Sequence, residues 1–376
     1  MNVAILGYGT VGKGVYDIIK SLKEQMASNR HYYDFVSEKE SQIEVLKILR
    51  RNRKNFDLPC MTDNFDEILN DDRIDTVVEC IGGLEPAKTY ILKALNKGKN
   101  VVTSNKLVLA NCYDEFINLA YKKNVYFLFE ASVGGGIPFI ENLSRIGFVD
   151  EIKGFKGIIN ATVNYILYKM TTESADFDEV LNEAKEKGYA EQDPSSDIDG
   201  DDVLYKSIIA ANVASRKSFD INSVLKFGIR NIEKSDIDFF KSNDYVVKLI
   251  SEYDGVNNTI MVMPELFDKY TAIANVPLNN NYVEIYCKTE GKLAFEGQGA
   301  GRYPTAHSVV QDLIRICQKS IVPIYKTDKV NVLYENFDED FYIRKKGEPG
   351  KIVKNVNEKD LRDESILFVA KINKRS

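Results

Sequence analysis

Val3-Ala4-Ile5-Leu6-Gly7-Tyr8-Gly9-Thr10-Val11-Gly12 stands near the start of the sequence, and its reading decides the fold. Four apolar residues in a row fit a short strand buried on both faces. Gly7, Gly9 and Gly12 follow as a G-x-G-x-x-G turn that opens a helix. Glycines at this spacing let backbone come close to a pyrophosphate, with helix N-terminal amides facing the phosphates. The motif alone is a weak signal; the strand–turn–helix context gives it weight. Gly7, Gly9, Thr10, Val11 and Gly12 are therefore candidate cofactor-binding residues, with a plain turn as the competing reading.

Outward from this turn, β-rich runs alternate with helical stretches. Ile43–Leu49, Asp75–Ile81, Asn100–Thr103 and Val125–Phe129 are the next strand candidates. Pro86–Lys97 carries Ile91, Leu92 and Leu95 at helical spacing. Lys23–Glu40, charged and aromatic, reads as a long surface connection. Such alternation predicts an α/β fold: an N-terminal Rossmann-type, doubly wound parallel sheet. After Ser132 the pattern changes. Strands are expected near Asp150–Ile159 and Tyr282–Cys287. Helices are expected over Thr162–Met170, Asp176–Lys187, Val203–Ala214 and Thr305–Ser320. This implies a second domain of α+β character. The expected division is a nucleotide-binding domain over 1–130 and a second domain over 131–305. A helix over 306–326 returns to the first domain, and 327–376 is a separate tail.

Composition excludes several classes. Lys plus Arg total 50 against 56 Asp plus Glu, a net charge of -6, which argues against an electrostatic nucleic-acid binder. No apolar run is long enough for a membrane span. The first residues lack the basic region of a signal peptide. The five Cys are scattered, so neither a disulfide framework nor a zinc site is indicated. With two His in the chain, chemistry built on His clusters is nearly excluded. A hydride-transfer reaction would then move its proton through Lys, Tyr or a carboxylate.

The second strand ends in Leu49-Arg50-Arg51-Asn52-Arg53-Lys54. An acidic residue there would hold the ribose 2′-hydroxyl of NAD. A basic cluster suits a 2′-phosphate instead, so Arg50 and Arg51 favour NADP, with NAD possible and a solvated basic loop as the alternative. Lys106 follows the fourth strand, at the carboxyl edge where ligands bind in a doubly wound sheet. The segment Gly188–Lys206, GYAEQDPSSDIDGDDVLYK, holds five Asp and one Glu among turn residues. It lacks the spacing of a calcium loop. A solvated acidic loop and a site that grips an amino group both remain. Asp202 and Lys206 are four apart and share a helix face.

With these motifs the chain resembles the homoserine dehydrogenase family over about residues 1–320. The resemblance is carried by GYGTVGKGV (Gly7–Val15), VVECIGG (Val77–Gly83), VVTSNK (Val101–Lys106), EASVGGGIP (Glu130–Pro138), the acidic segment and GQGAGRYPTA (Gly297–Ala306). It implies reversible, NAD(P)-dependent interconversion of L-homoserine and L-aspartate 4-semialdehyde in threonine and methionine biosynthesis. By position, Lys206 matches the acid/base lysine and Asp202 the acid that places it. Lys106 matches the lysine at the junction of cofactor and substrate. Glu191, Asp197 and Tyr189 match substrate-binding positions, and Gly301 a cofactor-contacting glycine. Glu130, Val133, Gly135 and Ile137 match positions that coordinate sodium, largely through backbone oxygens. The family's Asn-Gly-Thr-Thr-Asn-Tyr reads here as Asn160-Ala161-Thr162-Val163-Asn164-Tyr165. The resemblance further implies a homodimer or higher homo-oligomer joined through the second domain, and a cytoplasmic enzyme without nucleic-acid or membrane partners. The final 50 or so residues are too short for an intact regulatory ACT domain. A nucleotide-binding paralogue without turnover, or a dehydrogenase of another small amino-acid alcohol, are the alternatives.

Overall fold

The computed structural model describes residues 1–28, 43–52, 57–321, 327–334 and 337–373. They form two compact units: Met1–Phe148 with Ala300–Asp328, and Val149–Gly299 with Lys329–Ser376.

The first unit is built on a six-stranded sheet: β1 (Asn2–Leu6), β2 (Glu44–Leu49), β3 (Met61–Thr62), β4 (Thr76–Glu79), β5 (Asn100–Thr103) and β6 (Phe127–Leu128). All pairings are parallel and the order is β3-β2-β1-β4-β5-β6. This is the Rossmann-type order, which reverses between β1 and β4 and opens a crevice at their carboxyl ends. Val3, Ala4, Ile5 and Leu6 are wholly buried, as are Val77, Val78, Val101 and Val102. That explains why these strands read as unbroken apolar runs. The helices are α1 (Thr10–Ser28), α2 (Phe65–Leu69), α3 (Ala87–Asn96), α4 (Lys106–Lys123) and α5 (Phe139–Val149). A later helix, Arg302–Gln318, also belongs here: its Ala306, Val309, Val310 and Leu313 join the core of Val15 and Ile19 from α1.

Two sequence expectations change in this unit. Lys23–Ser28 continue α1 and are not a surface connection; 29–42, like Arg53 and Lys54, lie outside the described residues. The first unit also extends past residue 130, to 148. The reason is local bonding to the Arg302–Gln318 helix. Asp312 accepts from the Glu130 amide at 2.9 Å, and the Ser308 hydroxyl donates to the Gly135 carbonyl at 2.6 Å.

The second unit carries β7 (Ile152–Ile158), β8 (Ser218–Phe219), β9 (Leu225–Lys226), β10 (Tyr245–Asp254), β11 (Thr259–Asp268), β12 (Asn280–Cys287), β13 (Lys292–Gln298), β14 (Lys329–Val330), β15 (Asp340–Lys345), β16 (Lys351–Val353) and β17 (Ile366–Ile372). Its helices include α6 (Ala161–Glu173), α7 (Phe177–Glu186), α8 (Ser195–Ile198), α9 (Asp201–Ser215) and α10 (Lys234–Ser242). The main sheet has nine strands, ordered β13-β12-β7-β10-β11-β17-β15-β16, with β9 paired to β11. Residues 327–376, expected to form a separate tail, thus supply three of its strands. Phe341, Ile343 and Val369 complete a core with Leu225, Met261 and Met263. Charge fixes them as well: Arg344 donates to both carboxylate oxygens of Asp236 at 2.8 and 3.0 Å.

Candidate functional site

The glycine turn has the geometry a dinucleotide needs. Gly7 has φ +97°, and a Cβ there would meet the Cys80 carbonyl at 2.7 Å. A Cβ on Gly12 would lie 2.0 Å from the Gly7 carbonyl, so only glycine lets α1 start so close to β1. A Cβ on Gly9 would meet nothing within 4 Å; that face of the turn is open to a ligand. Thr10 and Val11 begin α1, so their amides belong to its positive end. The turn borders a cleft of about 480 Å³, lined among others by Gly7, Tyr8, Gly9, Arg50, Arg51 and Ile81. Arg50 lies over the Tyr8 ring at 5.9 Å and 3.6 Å from Asp57. Asp63, just past β3, is an acidic group in the same cleft.

Glu79 shapes the opposite wall. Its carboxylate is fully buried at the end of β4, where it accepts from the Ile81 amide at 2.7 Å and the Thr103 hydroxyl at 2.6 Å. Burial raises its pKa above the ordinary value. The sequence held the signal, a Glu ending an apolar strand, but nothing in it showed which groups the carboxylate would bind. Beside it, Asn105 caps α4 by accepting from the Val108 amide at 3.2 Å and donates to the Gly83 carbonyl at 2.7 Å. This places Lys106 as the first residue of α4. A cation there runs against the helix dipole, the kind of local conflict found at functional positions. Gly301 caps the Arg302–Gln318 helix with φ +115°.

Glu130, Val133, Gly135 and Ile137 share one buried loop in this unit. The Glu130 carboxylate accepts the Ile140 and Glu141 amides at 3.1 and 2.6 Å, capping α5. Burial first, then the charge of Asp312, pushes Glu130 up to about 8. Asp312 is itself pushed to about 6, mainly by burial. The buried Glu130 carboxylate and the backbone carbonyls of this loop are hard oxygens, the donor chemistry that suits an alkali cation.

The second unit gathers the acidic segment. The Lys206 ammonium donates to Asp202 Oδ2 and to the Ile159 carbonyl, both at 2.7 Å. Asp202 is 2% exposed. Asn160 Nδ2 donates to Asp202 Oδ2 and to Asp197 Oδ1, again at 2.7 Å each. Gly200, with φ +84°, turns the chain between α8 and α9 so that Asp197 and Asp202 come to one side chain. Thr162 donates to the Tyr189 carbonyl at 2.6 Å, fixing the start of the acidic loop. Tyr189 packs its ring on Tyr165 at 4.9 Å. Glu191 is exposed, two residues further on, and makes no hydrogen bond among the described residues. Asn160, Ile159 and Thr162 are the groups here that motif reading left without a role. Val163, where the family has Thr, is wholly buried, so its methyls face core packing.

Among the described residues, no three His, Cys, Asp or Glu side chains form a metal cluster. No helix there is long and apolar enough to cross a membrane.

Comparison with known proteins places the chain beside one family. Residues 7–130 match the family model described as "Homoserine dehydrogenase, NAD binding domain", and residues 138–314 match "Homoserine dehydrogenase". The homoserine dehydrogenase of Lactococcus lactis is 37% identical over 328 residues, covering 85% of this chain and 74% of that protein. That of Bacillus subtilis is 34% identical, covering 89% and 77%. A solved homoserine dehydrogenase from Thiobacillus denitrificans superimposes with TM-score 0.84 at 26% identity, covering 99% of this chain and 98% of that one. A hyperthermophilic archaeal homoserine dehydrogenase in complex with NADPH has TM-score 0.70 at 26% identity, covering 86% and 99%.

Proposed function

The chain belongs to the homoserine dehydrogenase family, and from that premise we propose how its residues carry the reversible interconversion of L-homoserine and L-aspartate 4-semialdehyde. The enzyme is an oxidoreductase with a nucleotide cofactor. Lys206 is the acid/base. In the oxidative direction its neutral amine takes the C4 hydroxyl proton as hydride leaves C4. A nicotinamide held in the cleft would accept that hydride and, in its reduced form, would return it to C4. In the reductive direction the Lys206 ammonium returns a proton to the aldehyde oxygen. Asp202 holds the lysine and stabilises its protonated form. Glu191 grips the substrate ammonium, and Asp197 and Tyr189 complete that side. Lys106 supplies positive charge near the reacting groups.

Gly7, Gly9, Thr10, Val11, Gly12 and Gly301 would hold the cofactor. Arg50 and Arg51 support NADP over NAD, because a guanidinium binds a phosphate bidentately. Glu130, Val133, Gly135 and Ile137 would hold Na+. Three further readings rest on family membership: a homodimer through the second domain, a cytoplasmic location, and service to threonine and methionine biosynthesis.

The observation that carries this reading is the 2.7 Å pair between half-buried Lys206 and buried Asp202. The test is reduction of NADP+ and NAD+ by the purified protein with L-homoserine. Turnover is expected in wild type, with a loss of about 10²–10⁴ in kcat for Lys206→Met. Full activity in that variant would overturn the assignment.

A further inference from the structure

We infer that Asn160 is a positioning residue for proton transfer at Lys206, orienting Asp202 and tying it to Asp197 through one side-chain amide. The inference rests on the reading of Lys206 as the acid/base.

Asn160 follows β7 and caps α6, and its amide spends both ends. Oδ1 accepts the Val163 amide at 2.8 Å. This bond fixes which end of the amide is the oxygen, so the NH2 must turn the other way. Its two hydrogens go to two carboxylates, Asp197 from α8 and Asp202 from α9. The Asp202 oxygen that takes one of them is Oδ2, the same atom that accepts from Lys206. One carboxylate oxygen is thus held between the lysine and Asn160. The preceding residue completes the grip: the Ile159 carbonyl accepts a second Lys206 hydrogen at 2.7 Å. Two consecutive residues therefore constrain both members of the pair.

Burial gives the arrangement its force. Asn160 is 4% exposed and Asp202 2%. Water has little room to replace a lost donor there, and a carboxylate left without one rotates toward whatever donor remains. Lysine has a flexible four-carbon stem, so its amine is only as well placed as the groups that hold it. Asn160 also links the substrate side to the proton-transfer side, since Asp197 and Asp202 share its two hydrogens. Neither Asp nor Ser can replace that function. Asp has no hydrogens to give and adds charge; Ser is too short to reach two carboxylates. Both still cap a helix about as well as Asn.

That separation makes the test. Asn160→Ser and Asn160→Asp are purified and followed by thermal melting, homoserine oxidation and its pH profile. The charged groups about Asn160 in the profile are Asp197, Asp202 and Lys206. Asn160→Ser is expected to lose only a few degrees of melting temperature and to keep its KM for NADP+, while kcat falls about 10²-fold, the scale of an ångström-level misplacement. Asn160→Asp is expected to move the alkaline rise of the oxidation rate up by about one pH unit, because added negative charge favours protonated Lys206. The inference is overturned if both variants keep wild-type kcat and profile. It is also overturned if activity falls only in step with melting temperature while the profile stays put, since a cap alone would do that. Absence of homoserine turnover in wild type would instead sink the underlying reading.

Discussion

At the scale of single residues, charge in the wrong place for stability is the informative signal. Arg50 and Arg51 line the cleft beside the glycine turn with Leu49 at the tip of β2, where an NAD enzyme has an acid. Replacing both with Ala is expected to raise KM for NADP+ at least tenfold and leave KM for NAD+ nearly unchanged, as measured by initial rates with each cofactor. An equal effect on both would remove the 2′-phosphate from the explanation. Lys248 presents a different case. It is 1% exposed and donates to two neutral oxygens, Asn164 Oδ1 at 2.9 Å and the Val276 carbonyl at 2.8 Å. Burial pushes its pKa down to about 7. Between that value and the ordinary 10.5, the unfolded chain holds a proton that the folded chain lacks. Stability contributed at this site therefore rises with pH across that window. Lys248→Met is expected to flatten the rise, read as the pH dependence of urea midpoints. An unchanged slope would show that the buried lysine stays charged. Sequence could not mark Lys248, because a lysine inside a strand pattern looks like a solvent-facing position.

At the scale of elements, legibility followed burial symmetry. β1, β4 and β5 are buried on both faces and read directly as apolar runs. β10 and β11 have ten residues each and lie outside the expected strands. Charged and proline interruptions explain it. Lys248 and Glu252 interrupt one strand and Pro264 and Glu265 the other, and they are accommodated only because partners arrive from elsewhere. Lys156 bonds Glu265 at 3.0 Å and Glu252 at 3.1 Å, and Lys371 from β17 meets both acids. The Glu130–Ile137 loop belongs to this scale too. Its carboxylate is pushed up to about 8, so a cation bound beside it would favour the ionised form. NaCl is expected to raise the melting temperature more than tetramethylammonium chloride at equal ionic strength, and Glu130→Gln to erase the difference. Equal melting temperatures in the two salts for wild type would count against the cation site. Linkage sets the gain at about 3 kcal/mol for a hundredfold excess over Kd.

At the scale of the whole molecule, the C-terminal stretch is a part of the second unit's sheet. Arg344 on β15 is 6% exposed and pairs with Asp236, which also accepts from Tyr342 at 2.7 Å. Removing one partner of a buried pair leaves an uncompensated charge, at a cost of about 3–5 kcal/mol. Arg344→Met is therefore expected to lower the unfolding free energy of the second unit by that much, read from its denaturant transition by near-ultraviolet circular dichroism. A variant as stable as wild type would mean that the C-terminal strands contribute little to the core they complete.

The sequence by itself determined five strands of the first unit's sheet, all but the two-residue β3, together with the glycine turn and the lysine–carboxylate pair. Each depends on residues close in the chain: apolar runs, glycines at fixed spacing, and two charges one helical turn apart. The tertiary structure decided what lies between distant segments. Asn160 and Asp202 are 42 residues apart, and Arg344 and Asp236 108 apart. No local pattern encodes such meetings, because they arise only when strands and helices pack and each buried polar group must find its partner.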